Sequence, residues 1–165
     1  MNDNREHLIY ECRRIEDDAK YTAEAHFRIA NDTKWKIFWV KLIPALLSAT
    51  SGIGIILLEY TWLGWLAVIS SAVFAVQTVI DFDRECTDHT NAGKHYTTLK
   101  HEARSLHETF HHELDKGTYA AIVSILRERY NNISFMTPKT TDKAFEKASK
   151  KIQSGNHEPD FNTGS

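Results

Sequence analysis

The chain has 165 residues, with 20 basic and 22 acidic side chains and a formal net charge of −2. That length suits one domain, and the charge balance excludes a nucleic-acid partner, because neutralising phosphates requires a basic surface. The two cysteines, Cys12 and Cys86, make no disulfide framework and are predicted to be reduced cytosolic thiols.

The first predicted element is an amphipathic helix over residues 4–33. Its apolar stripe recurs at alternating spacings of four and three residues, which is typical of one face of an α-helix. The stripe consists of Leu8, Cys12, Ile15, Ala19, Thr22, His26 and Ile29. We interpret His26, because it lies on this stripe, as a packed core or interface histidine rather than a proton sensor.

A long apolar block follows this helix. Residues 42–80 carry one formal charge, that of Glu59. A helix needs about 20 mainly apolar residues to cross the hydrocarbon core of a bilayer. We therefore predict two transmembrane spans, over residues 35–58 and 61–81, joined by a tight turn. The alternative is a hydrophobic helix pair buried in a soluble oligomer, which a block this poor in polar residues disfavours.

Charged residues beside the block predict its orientation. The loop between the spans contains no Lys or Arg, whereas Lys34, Lys36, Lys41 and Arg84 lie close to the other ends of the spans. Basic residues favour the cytoplasmic side of a membrane. We expect a multi-pass protein of the bacterial inner membrane, with both termini in the cytoplasm.

The rest of the chain is predicted to be helical as well. A helix over residues 83–116 has a heptad stripe that can pack against that of the first helix, and Gly117 is predicted to end it. Short helices, interrupted at Pro138, occupy residues 118–152, and residues 153–165 form a disordered tail. The predicted fold is an all-α membrane protein with a single domain over residues 1–152. It comprises a two-span transmembrane hairpin, long cytoplasmic helical extensions and a C-terminal helical segment.

One enzyme motif occurs within the predicted cytoplasmic helix. Residues 107–111 fit H-E-x-x-H, in which two histidines one helical turn apart bind zinc and the glutamate activates water. The surrounding stretch is rich in histidine, which makes a chance match common, and Glu108 falls opposite the apolar stripe. We expect no enzymatic activity, no cofactor and no metal. The candidates for a zinc site are His107, Glu108 and His111.

The predicted spans contain more small and polar residues than a membrane anchor needs. Pairs such as Ser48 with Gly52 allow helices to approach closely, which predicts packing within the hairpin and a homo-oligomer in the bilayer. Polar side chains of such an oligomer can line a water-filled path, and acidic rings at its mouths favour cations. The candidates for pore lining or helix packing are Ser48, Ser51, Gly52, Ser71, Gln77 and Thr78. The candidates for pore-mouth charge are Glu59, Asp81 and Asp83.

A set of short motifs follows a fixed order along the chain. It runs through Cys12, residues 21–27, Trp35, residues 42–49, residues 77–82, His89, Ala92, residues 96–99, residues 126–130 and Pro138. This layout resembles the SLATT family, the two-span effector domains associated with SMODS nucleotidyltransferases and SLOG nucleotide sensors. The likeness covers roughly residues 8 to 150, and its weight lies in the order of the motifs.

The resemblance implies a membrane effector of a prokaryotic antiviral system. Such a protein would form or open a pore in the inner membrane on a nucleotide-type signal, causing growth arrest or death of the infected cell. The signal is expected from a cytoplasmic nucleotide-signalling partner or from a nucleotide second messenger. Two alternatives are a non-conducting membrane anchor that recruits a cytoplasmic partner and a membrane-bound zinc protease.

Overall fold

The computed structural model describes residues 3–58, 62, 64–79 and 82–155. Five helices occupy these residues: α1 (Asp3–Leu58), α2 (Gly64–Val79), α3 (Phe82–Glu108), α4 (Lys116–Met136) and α5 (Asp142–Gln153). The described part of the chain contains no strand, and the predicted all-α class is confirmed. Residues 156–165, which make up most of the predicted tail, lie outside the described residues.

The chain divides into two compact units. Unit 1 comprises Met1–Ile29 and Asp88–Ser165, and unit 2 comprises Ala30–Thr87. Helix α1 contributes to both units, because it continues without interruption from Asp3 to Leu58, through the boundary between the two predicted helical segments.

Unit 1 has a conventional apolar core. The stripe predicted on α1 is buried at Cys12, Ile15 and Ala19, and it belongs to one cluster with the buried residues of α3 and α4. The partners in that cluster are Tyr96, Leu99, Ala103, Leu106, Tyr119, Val123 and Leu126. The predicted contact between the stripes of α1 and α3 is therefore present, and α4 belongs to the same cluster.

Helix α3 ends earlier than the heptad pattern predicted, at Glu108 rather than at residue 116. Residues 109–113 form turns, and Phe110, which the stripe included, is exposed. The physical reason lies in Asp115, whose side chain accepts hydrogen bonds from the backbone N–H groups of Gly117 and Thr118. This N-cap begins α4 before Gly117, so Gly117 lies in the first turn of a new helix and does not end the previous one.

Helix α5 is the last helix of unit 1. Its N-cap is Thr141, whose side chain accepts a hydrogen bond from the N–H of Ala144. Ala144 and Ala148 are buried, and Lys151 donates to Glu24 of α1 over 2.7 Å. These contacts attach the short helix to the bundle by one face, while its other face carries exposed lysines.

Unit 2 consists of the second part of α1, helix α2 and the first residues of α3. The predicted spans covered residues 35–58 and 61–81, whereas α2 has 16 residues, fewer than the roughly 20 that cross a bilayer. Across residues 3–58, 62, 64–79 and 82–155, no helix is both long enough and apolar enough to cross a membrane.

Candidate functional site

Many large apolar side chains of unit 2 are exposed. On α1, Trp39 and Leu46 are 51% and 55% exposed, and on α2 Trp65 and Phe74 are 71% and 63% exposed. Contact of large apolar side chains with water is unfavourable, and contiguous exposed patches of them mark sites of interaction. The other exposed members are Trp35, Phe38, Ile43, Ile53, Trp62, Val68, Ile69, Val73 and Val76.

The buried positions of unit 2 belong to small or hydroxyl-bearing residues. Ser51 is 1% exposed, Thr33 3% and Ser70 4%, and they are joined by Ala30 and Cys86. The Ser51 hydroxyl donates to the carbonyl of Ser48 over 3.0 Å, and the Cys86 thiol lies 3.5 Å from the carbonyl of Ala30. Between residues 43 and 76, within the described part of the chain, the polarity is thus reversed: the hydroxyls of Ser51 and Ser70 are buried and most large apolar side chains are exposed. The charged residues of the unit, such as Lys41 and Asp83, are also exposed.

A hydrogen bond between a side chain and the backbone joins α1 to α2 inside this unit. The Ser70 hydroxyl donates to the carbonyl of Pro44 over 2.9 Å, and both residues are buried. Ser70 was not among the predicted site residues, because Ser70 and Ser71 belong to the same run of small residues and look alike in the sequence. Only the helix packing distinguishes the two serines.

The predicted lining residues divide into three groups. Ser51 is buried, whereas Ser48 and Ser71 are exposed, with the Ser71 hydroxyl bonded to the carbonyl of Ala67 in its own helix. Gly52 lies on α1, and Gln77 and Thr78 lie near the C-terminal end of α2, where the structure does not describe their side chains. The exposed serines are therefore accessible to a neighbouring molecule, whereas the buried Ser51 bonds within α1.

Of the three predicted pore-mouth acids, Asp83 is described. It accepts a hydrogen bond from Lys41 over 2.8 Å, and both side chains are exposed. Glu59 and Asp81 lie outside the described residues. The Lys41–Asp83 pair connects α1 to the start of α3, and its exposure to solvent makes it a weak contributor to stability.

Unit 1 contains a buried histidine pair. The Nδ1 atoms of His26 and His89 lie 2.9 Å apart, and the ring of Tyr96 stacks on His26. One Nδ1 must donate and the other accept, so this hydrogen bond requires at least one neutral imidazole. Burial, together with the neighbouring His89, lowers the pKa of His26 to about 4. The His26 ring is therefore uncharged at neutral pH, as expected for a core histidine.

A second polar cluster in unit 1 joins α1 to α3. The carboxylate of Glu16 accepts hydrogen bonds from Arg104 Nε over 2.7 Å and from His107 Nε2 over 2.6 Å. Burial alone would raise the pKa of Glu16, but the hydrogen bonds from His107 and Arg104 bring it below its usual value. The sequence analysis missed Glu16, and the only signal for it is a carboxylate next to the apolar stripe.

The H-E-x-x-H motif does not have the geometry that zinc binding requires. Helix α3 ends at Glu108, so His111 lies in a turn and not one helical turn along from His107. The Nε2 atom of His107 is engaged by Glu16, and Glu108 faces Arg104 at 3.9 Å. Across the described ranges, no group of three or more His, Cys, Asp or Glu residues is arranged to hold a metal ion.

An open apolar groove of about 740 Å³ lies between α3 and α4 in unit 1. Its floor includes Leu106, Ile122 and Leu126, and its rim carries the ion pair of Arg129 with Glu102. The volume falls in the range of small-molecule and peptide-binding sites.

Comparison with known proteins assigns the chain to a protein family. A family model described as "SMODS and SLOG-associating 2TM effector domain family 4" matches residues 8–164. Neither the comparison with curated proteins nor the comparison with solved structures found a match.

Proposed function

Since the chain belongs to family 4 of the SMODS and SLOG-associating 2TM effector domains, the SLATT domains, we propose that it is a membrane effector of a prokaryotic antiviral conflict system. In this proposal unit 2 inserts into the bacterial inner membrane as a two-span hairpin with both termini in the cytoplasm. Copies of the hairpin then assemble into a pore when a nucleotide-type signal is produced.

The observation that carries the proposal is the reversed polarity of unit 2. A side chain such as Phe74, 63% exposed, is stable in hydrocarbon and unfavourable in water. Conversely, a hydroxyl such as that of Ser70 needs a hydrogen-bond partner in hydrocarbon, and the carbonyl of Pro44 provides one. An apolar solvent around unit 2 accounts for both features at once.

The exposed serines support assembly into a pore rather than simple anchoring. Ser48 and Ser71 are exposed in the single chain, within residues 42–53 of α1 and 64–76 of α2, where the other exposed residues are mostly apolar. Such hydroxyls in a membrane usually face other helices or a water-filled path. In the proposed oligomer they lie between protomers or along the pore, and the large apolar side chains contact lipid.

The described geometry supports an effector without enzymatic activity. The groups of the zinc-protease motif are already engaged in unit 1, His107 with Glu16 and Glu108 with Arg104. We propose that unit 1 serves to receive the signal, from a partner protein or a nucleotide, and that the groove between α3 and α4 is the place where it acts. Replacing Glu108 by Gln should therefore leave toxicity unchanged, and loss of toxicity with normal assembly would revive the protease alternative.

The proposal is tested by reconstituting the full chain in liposomes loaded with a self-quenched dye. We expect leakage when a cyclic nucleotide or the partner is added, and leakage should be lost when Ser48, Ser71 and Gln77 are all changed to Leu. The matched control changes Val68, Ile69 and Val76 to Leu, which keeps that surface apolar. If the inserted, oligomeric protein releases no dye under any condition, the pore is refuted. If the variant with Leu at positions 48, 71 and 77 still protects cells, the anchor alternative is correct.

A further inference from the structure

The C-terminal end of α4 exposes two adjacent large apolar side chains. Phe135 is 92% exposed and Met136 82%, the highest values among the large apolar side chains of the described residues. The apolar stripe of α4 is otherwise buried, at Tyr119, Val123 and Leu126. Single exposed apolar residues are common on protein surfaces, but a fully exposed neighbouring pair indicates a surface that another phase or molecule covers.

Lysines follow this apolar pair in the sequence. Lys139 is exposed three residues after Met136, and Lys143, Lys147 and Lys150 are exposed on α5. Their spacing of four and three residues places the last three on one stripe of the helix. Residues 134–153 carry five lysines and two acidic residues, whereas the whole chain has a net charge of −2. Positive charge is thus concentrated in the segment of the chain that follows the exposed apolar pair.

The lysine stripe is held in place by the opposite face of α5. Ala144 and Ala148 are buried against the bundle, and the ring of Phe145 lies 6.1 Å from that of Tyr21. Lys151 turns inward to Glu24 and is not part of the stripe. The three lysines of the stripe are therefore presented by a helix that packs on the bundle, and Lys150 also donates to Glu146 of the same helix over 2.6 Å. Lys139 lies in the segment before this helix.

We propose that Phe135, Met136, Lys139, Lys143, Lys147 and Lys150, here called the basic-apolar surface, bind an anionic lipid bilayer. In this arrangement the two apolar tips enter the boundary between head groups and acyl chains, and the lysine ammonium groups contact lipid phosphates. The combination of apolar and basic side chains selects this partner. A protein groove would match only the apolar side chains, and a polyanion in solution would match only the lysines.

The inference rests on the proposed function in one respect, because the hairpin must bring the chain to a membrane. It adds a second membrane contact, made by unit 1, whose strength depends on lipid charge. Such a contact makes the state of unit 1 sensitive to the composition of the membrane that the effector attacks.

The test uses the full chain with Ser134 changed to Cys and labelled with the environment-sensitive fluorophore NBD. The native thiols Cys12 and Cys86 are buried, which directs the label to the new cysteine. The labelled protein is placed in nanodiscs of phosphatidylcholine, with or without phosphatidylglycerol. We expect emission to shift to the blue and to rise about twofold in the anionic discs. The matched control is Ser124→Cys, ten residues earlier on the same helix and also exposed, and it should show no change.

Two sets of variants decide the outcome. Changing Phe135 and Met136 to Ser, or Lys139, Lys143 and Lys147 to Gln, should abolish the emission change. The control set changes Arg13, Lys94 and Lys116 to Gln, removing the same charge from elsewhere in unit 1, and should keep it.

Equal emission in neutral and anionic discs, with the hairpin inserted, would overturn the proposal. A change that follows protein concentration instead of lipid charge would also overturn it and would indicate a second copy as the partner. Resistance to carbonate extraction and dye leakage are measured on the same variants reconstituted in dye-loaded liposomes of the same two lipid compositions. Failure of insertion or leakage therefore counts against the proposed function, and failure of the lipid-dependent emission counts against this surface.

Discussion

Units 1 and 2 are both built from α-helices, but they sort their side chains in opposite ways. In unit 1 Leu99 is fully buried while charged residues lie on the surface. In unit 2 Leu46 is 55% exposed, and Ser51 and Ser70 are buried. A helix folds in either solvent because its backbone hydrogen bonds are internal, whereas its side chains are sorted by the medium around it. The contrast is what the proposed insertion of unit 2 into a bilayer predicts.

The largest effect is expected from truncating a leucine in unit 1. Leu99→Ala should destabilise the protein by about 2–5 kcal/mol, because it leaves a cavity in the α1–α3–α4 core. Leu46→Ala is the matched change in unit 2 and should cost less than about 0.5 kcal/mol, because that side chain is exposed. Thermal melting in detergent, followed by circular dichroism, measures both. Equal losses would remove the contrast between the units.

An arginine scan sharpens the comparison by testing the medium directly. Ile69 of unit 2 and Ile125 of unit 1 are 54% and 55% exposed. Ile69→Arg should cost about 2.5–3.5 kcal/mol of membrane insertion, the value for a charge at the centre of a span. Ile125→Arg should be tolerated, because water already surrounds that position. The readout is the fraction of protein that resists carbonate extraction, and unchanged resistance of the Ile69→Arg variant would show that residue 69 does not face lipid.

Acid should weaken unit 1 through its buried histidine pair. The pKa of His26 is about 4 in the folded protein, below its ordinary value of 6.5, so folding favours the neutral ring. The resulting stability is complete above pH 6.5 and decreases as the pH falls towards 4, by about 2 kcal/mol between pH 6.5 and 4.5. The free energy of unfolding, measured over that window, should lose this slope in His26→Gln.

The pH window separates this effect from that of Glu16. The pKa of Glu16 is lowered in the folded state, so its contribution is present above the ordinary value of 4.5 and is lost at more acid pH. His95→Gln provides the control, because His95 is exposed on α3. If His95→Gln flattened the slope as much as His26→Gln, the buried pair would not be its origin.

The smallest expected effect concerns two neighbouring serines of α2. Ser70→Ala removes the hydrogen bond to the Pro44 carbonyl and should cost about 0.6 kcal/mol, a typical value for a hydrogen bond between helices in a bilayer. Ser71→Ala should cost almost nothing, because the Ser71 hydroxyl bonds within its own helix. Melting of the two variants in the same lipid compares them. A larger loss for Ser71→Ala would show that its exposed face makes contacts between protomers.

Much of unit 1 could be predicted from the sequence, because its helices repeat apolar residues at helical spacing. Cys12, Ile15 and Ala19 were expected in the core and are found there. The end of α3 could not be predicted, since the stripe continues to Phe110 and the capping by Asp115 competes with it locally. Glu16 was missed because a carboxylate becomes a core residue only when partners such as Arg104 and His107 reach it.

By itself the sequence determined the helical class, the stripes of unit 1, the apolar block and the family, because each depends on local spacing or on the order of motifs. Only the tertiary structure decided which serines are buried and that His26 faces His89. It also decided that the H-E-x-x-H residues lack the arrangement that zinc binding requires. These features depend on which residues meet across helices. Such contacts are set by packing between distant parts of the chain, which the pattern along one helix does not contain.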